Sequence, residues 1–301
     1  MSQSDIINSR QIQWFPGHMT KTLRLMEKEI RNVDCVLQIL DARIPLSSLN
    51  PEIERTTAGK PHLYVLNKSD LADPEITRQW LAYFKSAGAG CIAMDSKQRG
   101  RATATKGLIE KELSALMERR RSRGMVGAAI RVMIVGIPNV GKSTFINKVA
   151  RKKSAKASDR PGVTRGKQWV TVDRGLELLD TPGILWPKFE DVETGMRLAF
   201  TGAVKDDIMD VETLGCHLMA FLGTQYPNVL AESYRLKEVP AREAEENEVA
   251  YGYRLLEACA QKRGMRISGG EFDTERMARV LLDEYRGGKL GRFTLELPEE
   301  V

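Results

Sequence analysis

Six short apolar runs punctuate the first 180 residues, each closed by polar or turn-forming positions. The runs "CVLQIL" (35–40), "HLYVL" (62–66), "CIAM" (91–94), "IRVMIV" (130–135), "QWVTV" (168–172) and "LELL" (176–179) have the length and residue types of buried strands. Helical periodicity fills most of the gaps, as over 74–87 and 105–121. The last two runs, joined by "DRG", predict a hairpin. This alternation predicts an α/β fold, a doubly wound and mostly parallel sheet with one antiparallel edge.

Beyond about residue 190 the strand-like runs stop. Leu214, Leu218, Phe221 and Leu222 share one face of a helix over 210–222. Val249, Tyr253, Leu256 and Ala260 share one face of a helix over 243–263, which Gly264 closes, and Asp273 caps a last helix carrying Met277, Val280 and Leu281. The change of period predicts two domains, 1–206 and an all-helical 207–301.

Chemistry enters at the strand ends. "GIPNVGKS" (136–143) fits G-x-x-x-x-G-K-[ST], follows the strand 130–135 and opens the helix "STFINKVA". Gly136 and Gly141 let backbone N–H groups of the loop (Asn139, Val140, Gly141) and of the helix start (Lys142, Ser143, Thr144) face phosphate oxygens. Lys142 is then the side chain for the β- and γ-phosphates, and Ser143 a ligand for Mg²⁺. "DTPG" (180–183) closes the strand "LELL", where Asp180 would hold Mg²⁺ through water and the Gly183 N–H would sense the γ-phosphate. Between them, Thr164 of "RPGVT" is positioned to complete the Mg²⁺ shell.

A phosphate loop does not choose a base, but "NKSD" (67–70) does. Asp70 can accept from the guanine N1–H and 2-amino group, a pattern that adenine lacks. Asn67 can bond the base edge and tie its loop to the phosphate loop, while the stem of Lys68 covers the ring. "DSK" (Asp95, Ser96, Lys97) follows the next strand, where a backbone N–H would reach guanine O6. GTP and GDP are thus the expected ligands. The base-reading elements precede the phosphate and switch elements, which is the usual order cut after "DTPG" and rejoined through 101–129. Permutation is tolerated where termini are exposed and close together.

Composition narrows the class. With 42% hydrophobic and 29% charged residues, the 301-residue chain reads as a globular, cytoplasmic protein. No apolar run nears the ~20 residues of a membrane span, and "MSQSDIINSR" does not resemble a secretory leader. Cys35, Cys91, Cys216 and Cys259 are scattered and read as reduced, mostly buried thiols. The net charge of +6 is concentrated: eight basic residues face the single acid Asp159 between Lys148 and Lys167, and "RRRSR" spans Arg119–Arg123. Such clusters suit phosphate, in nucleotide or nucleic acid, or a solvated face.

Taken together, "WFPGHM" (14–19), "DARIP" (41–45), "NKSD", "GIPNVGKS", "PGVT", "DTPGIL", "RLAFTGAVKD" (197–206) and "GKLGRFTLE" (288–296) resemble the circularly permuted GTPases of the ribosome biogenesis GTPase A (RbgA/YlqF) family, over nearly the whole chain. The resemblance implies a GTPase that binds the large ribosomal subunit precursor, its RNA and proteins, late in assembly, with no membrane partner and as a monomer off the ribosome. It implies stimulation by the large subunit and by K⁺, and an RNA-contacting helical domain at 207–301. Ile184, Leu185 and Trp186 stand where many signalling GTPases carry a water-orienting glutamine. The resemblance assigns that task to His18, which beside Trp14, Phe15 and Pro16 also reads as a packed structural residue. It likewise assigns a K⁺ contact to Asn139, which also reads as a loop-stabilising amide.

Three points stay open at this level. Asp41 and Arg43 either act beside the nucleotide or a switch, or form a buried ion pair that fixes their loop. Arg197 and Lys205 either touch RNA or belong to a helix joining the domains. The missing glutamine also leaves room for a nucleotide-dependent RNA-binding module with negligible turnover.

Overall fold

A computed structural model describes residues 17–95, 102–125, 127, 129–150, 168–173, 175–186, 191–206 and 210–298. The chain divides into two compact units, one drawn from 14–188 together with 293–301, the other from 189–292.

The first unit is built on six strands: β1 (Cys35–Asp41), β2 (His62–Asn67), β3 (Gly90–Met94), β4 (Ile130–Val135), β5 (Gln168–Asp173) and β6 (Leu176–Asp180). Their order across the sheet is β3-β2-β1-β4-β6-β5. All neighbours are parallel except β5 and β6, which form the expected antiparallel edge hairpin. Every residue of β1 is buried, as in a central strand covered on both faces. From β1 the chain steps outward to β2 and β3, whereas β4 lies on β1's other side and starts the walk toward β6 and β5. The direction of winding reverses between β1 and β4, and in open α/β sheets that crevice at the carboxyl ends is where ligands bind.

Helices α1 (Gly17–Glu29), α2 (Pro51–Thr56), α3 (Pro74–Ser86), α4 (Ala102–Glu112), α5 (Ser114–Ser122) and α6 (Lys142–Val149) complete this unit. Local signals explain several of the boundaries. Asn50 caps α2 through Glu52 N, and Asp73 caps α3 through Glu75 N and Ile76 N, each with proline in the first turn. The helix expected over 105–121 is instead two, parted at Leu113, whose ψ of 11° leaves the helical range. Trp80 and Phe84 of α3 pack on Leu40 and Leu66 beneath the strand ends.

The second unit is helical: α7 (Val192–Phe200), α8 (Val211–Gln225), α9 (Pro227–Tyr234), α10 (Glu248–Lys262) and α11 (Thr274–Gly287). Asp191, Asp210, Asn247 and Asp273 cap four of them by accepting from backbone N–H groups. The buried face of α10 is Tyr251, Leu255, Leu256, Cys259 and Ala260, whereas Tyr253 is exposed, so the expected stripe is rotated. Gly252 causes the rotation. A Cβ there would lie 1.9 Å from Cys216 O, so α10 turns its glycine, not a large side chain, onto α8. Arg286 of α11 donates to Phe200 O (3.0 Å) and to Ala199 O (2.7 Å), the latter also accepting from Gly202 N, so the guanidinium caps the carboxyl end of α7.

The division of the chain therefore does not follow the expected 206/207 boundary. The α7 helix, which includes the "RLAF" part of "RLAFTGAVKD", groups with the helical unit through its buried Met196, Leu198 and Phe200, and residues 293–301 group with the sheet unit. No helix among the described residues is long and apolar enough to cross a membrane. Cys35, Cys216 and Cys259 are buried and Cys91 partly so, and burial pushes all four thiols up to about 12.

Candidate nucleotide-binding site

The phosphate end forms where β4 turns into α6. Asn139 (φ 56°) and Gly141 (φ 96°) both take the left-handed conformation, which folds the loop back so that α6 starts at Lys142. A Cβ at Gly141 would also meet Asn67 Nδ2 at 2.5 Å, so only glycine fits there. The α6 N-terminus supplies N–H groups and positive potential for an anion.

Lys142 is buried and donates from Nζ to Gly136 O (3.0 Å) and Ile137 O (2.7 Å). Burial pushes its ammonium down to about 8, with Asp180 opposing the shift and Lys68 adding to it. Ser143 Oγ donates to Asp180 Oδ2 at 3.2 Å. The other oxygen, Asp180 Oδ1, is buried with no hydrogen-bond donor among the described residues. Burial raises the Asp180 carboxyl above its ordinary range against the pull of Lys142 and Ser143. A hydroxyl and a carboxylate, one of whose oxygens is buried and unmatched, make a hard donor set that fits Mg²⁺. A Cβ at Gly183 would lie 2.7 Å from Pro138 Cα and 2.9 Å from Lys142 Nζ, so the "DTPG" turn closes directly on the phosphate loop.

The base end forms at the tips of β1, β2 and β3. Asn67 Nδ2 donates to Val140 O (2.7 Å), joining the "NKSD" loop to the phosphate loop, and Ser69 N donates to Met94 O (3.2 Å), joining it to β3. Lys68 (φ 58°) sends Nζ to Asp41 Oδ2 at 3.0 Å. Asp41 also receives Arg43 Nε and Nη2, each at 2.9 Å, and both partners of that bidentate pair are buried. Burial alone would raise the Asp41 carboxyl, but the Arg43 and Lys68 cations override it and hold the group well below the usual carboxylate range. The open question about "DARIP" is thus answered: Asp41 and Arg43 are a buried ion pair, and that pair reaches the nucleotide loop through Lys68. Asp70 is half-buried and Asp95 buried.

Several expected residues fall elsewhere. Thr164, Ser96, Lys97 and most of the basic stretch that begins at Lys148 lie outside the described residues. His18 lies in the first turn of α1, and its side chain is likewise outside them. Ile184 and Leu185 are fully buried, so the positions after "DTPG" do face the core. Asn50 Nδ2 holds this segment by donating to Ile184 O at 2.9 Å, a contact whose only sequence signal is a cap residue before Pro51. In α5, Arg120 pairs with Asp34 and Arg121 with Glu118, and in α7 Arg197 pairs with Glu193.

A family profile described as a 50S ribosome-binding GTPase matches residues 131–225, a span that begins at the phosphate strand and leaves out "NKSD". Over 294 residues the chain is 45% identical to ribosome biogenesis GTPase A of Bacillus cereus, covering 96% of this chain and 95% of that protein. Identity to ribosome biogenesis GTPase A of Priestia megaterium is also 45%, over 292 residues, with 96% and 98% covered. Among solved structures, GNP-bound YlqF from T. maritima superposes with a TM-score of 0.62 at 26% identity, covering 93% of this chain and 100% of that one.

Proposed function

The chain belongs to the ribosome biogenesis GTPase A family, and on that premise we propose that it binds GTP in the crevice between β1 and β4, hydrolyses it, and acts on the large ribosomal subunit precursor late in assembly, in the cytoplasm and as a monomer off the ribosome. The observation that carries the reading is the Asn67–Val140 hydrogen bond, which unites base-reading and phosphate-binding loops 73 residues apart in an order opposite to the usual one.

The residues divide the work. Asp70 accepts from the guanine N1–H and 2-amino group, and Asp41 steadies the Lys68 head so that its stem can cover the ring. The backbone of Asn139–Thr144 and the Lys142 ammonium cradle the phosphates, and the Gly183 N–H reports on the γ-phosphate. Ser143, Thr164 and Asp180 would hold Mg²⁺, which when bound offsets charge on the β- and γ-phosphate oxygens. With Ile184 and Leu185 buried, no side chain just after "DTPG" can orient the attacking water. We assign that task to His18 and a K⁺ contact to the neutral amide oxygen of Asn139, both on the family resemblance. The helical unit and the basic segments at 119–123 and 148–167 suit ribosomal RNA through phosphate contacts.

Phosphate release with and without large-subunit particles, in K⁺ and in Na⁺, tests the proposal. Acceleration by particles and by K⁺ is expected; no acceleration by particles removes the ribosomal role. The burial of Ile184 and Leu185 favours one other reading, a nucleotide-dependent binding module, which predicts negligible turnover even on particles. Asp70→Asn should move preference from GTP toward XTP.

A further inference from the structure

The last described stretch of the chain, Phe293–Leu297, does not belong to the helical unit that precedes it. It lies across the loops at the carboxyl ends of β1 and β2. Phe293 N donates to Leu71 O (3.1 Å), and Leu295 N donates to Arg43 O (2.8 Å). Thr294 Oγ1 accepts from Asp73 N at 3.1 Å. Glu296 is 3% exposed. Its carboxylate accepts from Leu46 N (2.7 Å), from Ser47 N (3.0 Å) and from Ser47 Oγ, and its carbonyl accepts from the buried Trp80 Nε1 (3.0 Å).

Two consecutive N–H groups closing on one carboxylate form an anion-holding nest, here filled by the chain's own side chain. Burying a carboxylate is costly unless donors meet it, so the nest fixes Glu296, and Glu296 fixes the loop 43–47. That loop carries Arg43, which grips Asp41, which in turn holds Lys68. On the other flank, Leu71 follows Asp70 directly in the chain, and Leu71 and Asp73 are the residues that Phe293 and Thr294 engage. The segment therefore braces the base-reading loop on both sides, at Lys68 through two ion pairs and at Asp70 through the next peptide unit.

We propose that Phe293–Leu297 is a strap that sets the guanine selectivity of the nucleotide site, with Glu296 as its anchoring, positioning residue. This rests on the reading of Asn67–Asp70 as the guanine reader. The strap's hydrogen bonds run to Arg43, Leu46, Ser47, Leu71, Asp73 and Trp80, so it acts on how well Asp70 and Lys68 are placed. Linkage makes the effect reciprocal: a base that fits the loop steadies the strap.

The test compares GDP with IDP, which lacks the 2-amino group that Asp70 reads. In Glu296→Gln, GDP affinity should fall by about tenfold and IDP affinity by less, narrowing the ratio between them. Ser47→Ala, which leaves both N–H donors in place, should narrow it less. In the unaltered protein, GDP should slow amide hydrogen exchange at Phe293 and Leu295 more than IDP does. Equal losses of GDP and IDP affinity in a folded Glu296→Gln protein, or exchange at those amides that ignores the nucleotide, would overturn the strap. Asp70→Asn separates the two readings. If it fails to shift preference from GDP to XDP, the guanine reader itself is wrong; if it shifts while Glu296→Gln keeps the GDP/IDP ratio, only the strap is.

Discussion

The two ends of the nucleotide site solve their electrostatics in opposite ways. At the phosphate end, charge is left under tension: burial drives Lys142 down to about 8, and Asp180 keeps a buried oxygen with no donor among the described residues. At the base end, charge is paired within the protein, Asp41 with Arg43 and Lys68, and Glu296 with two N–H groups and a hydroxyl. The phosphate end thus gains from a ligand that brings opposite charge, whereas at the base end most of the charge is already paired and serves as a frame. On the proposed reading, affinity belongs to the first and selectivity to the second.

The contrast can be broken from either side. Lys142→Ala should cost roughly 10³-fold in phosphate release, as loss of one preorganised charge typically does, while thermal stability holds or rises because a strained buried ammonium is gone. Asp41→Ala should do the reverse. With Asp41 gone, Arg43 stays buried but loses its bidentate carboxylate, a loss of about 3 kcal/mol or more that urea unfolding would measure, well beyond any change in catalysis at saturating GTP. If Lys142→Ala proves the more destabilising of the two, the division is wrong.

Asn67→Ala removes the bond that couples the ends. It should weaken GDP binding by roughly tenfold, the worth of one good buried hydrogen bond, and also lower the melting temperature of the unliganded protein, because Val140 O loses its buried donor. The smallest effect is that of pH. Lys142 titrates near 8 in the folded protein against an ordinary 10.5, so above pH 8 the folded state sheds a proton that the unfolded chain keeps. Stability should rise between those values as nucleotide affinity falls, by about fourfold from pH 7 to 8.5. Titration calorimetry at several pH values measures this, and an affinity that is flat to pH 9 would place the Lys142 transition elsewhere.

The phosphate end was legible because its parts are near in sequence and each carries a motif. Gly136–Ser143 and Asp180–Gly183 lie at the ends of strands that the apolar runs marked correctly. The base end was only half legible. "NKSD" declared itself, but the Asp41–Arg43 pair read equally well as a site or as a brace, and Glu296, though it closes the quoted "GKLGRFTLE", gave no sign of its task because its carboxylate partners are about 250 residues away. Periodicity also misjudged part of α10: at Gly252, where the helix packs closest on α8, no side chain marks the contact, so Tyr253 was read inward while Leu256 and Ala260 were read correctly. The boundary near 206 was misplaced for a related reason: α7 is short, and what decides its allegiance is packing against later helices.

The strap also orders the molecule in time. A chain is made from its first residue to its last, and domains tend to fold as they emerge. Residues 293–297 appear only after the helical unit has been synthesised, so loops laid down more than 200 residues earlier wait for them before they can be locked. A chain stopped between Gly183 and Phe293 would carry every nucleotide motif and still lack the lock, so synthesis past Leu297 becomes a condition for selecting the right base.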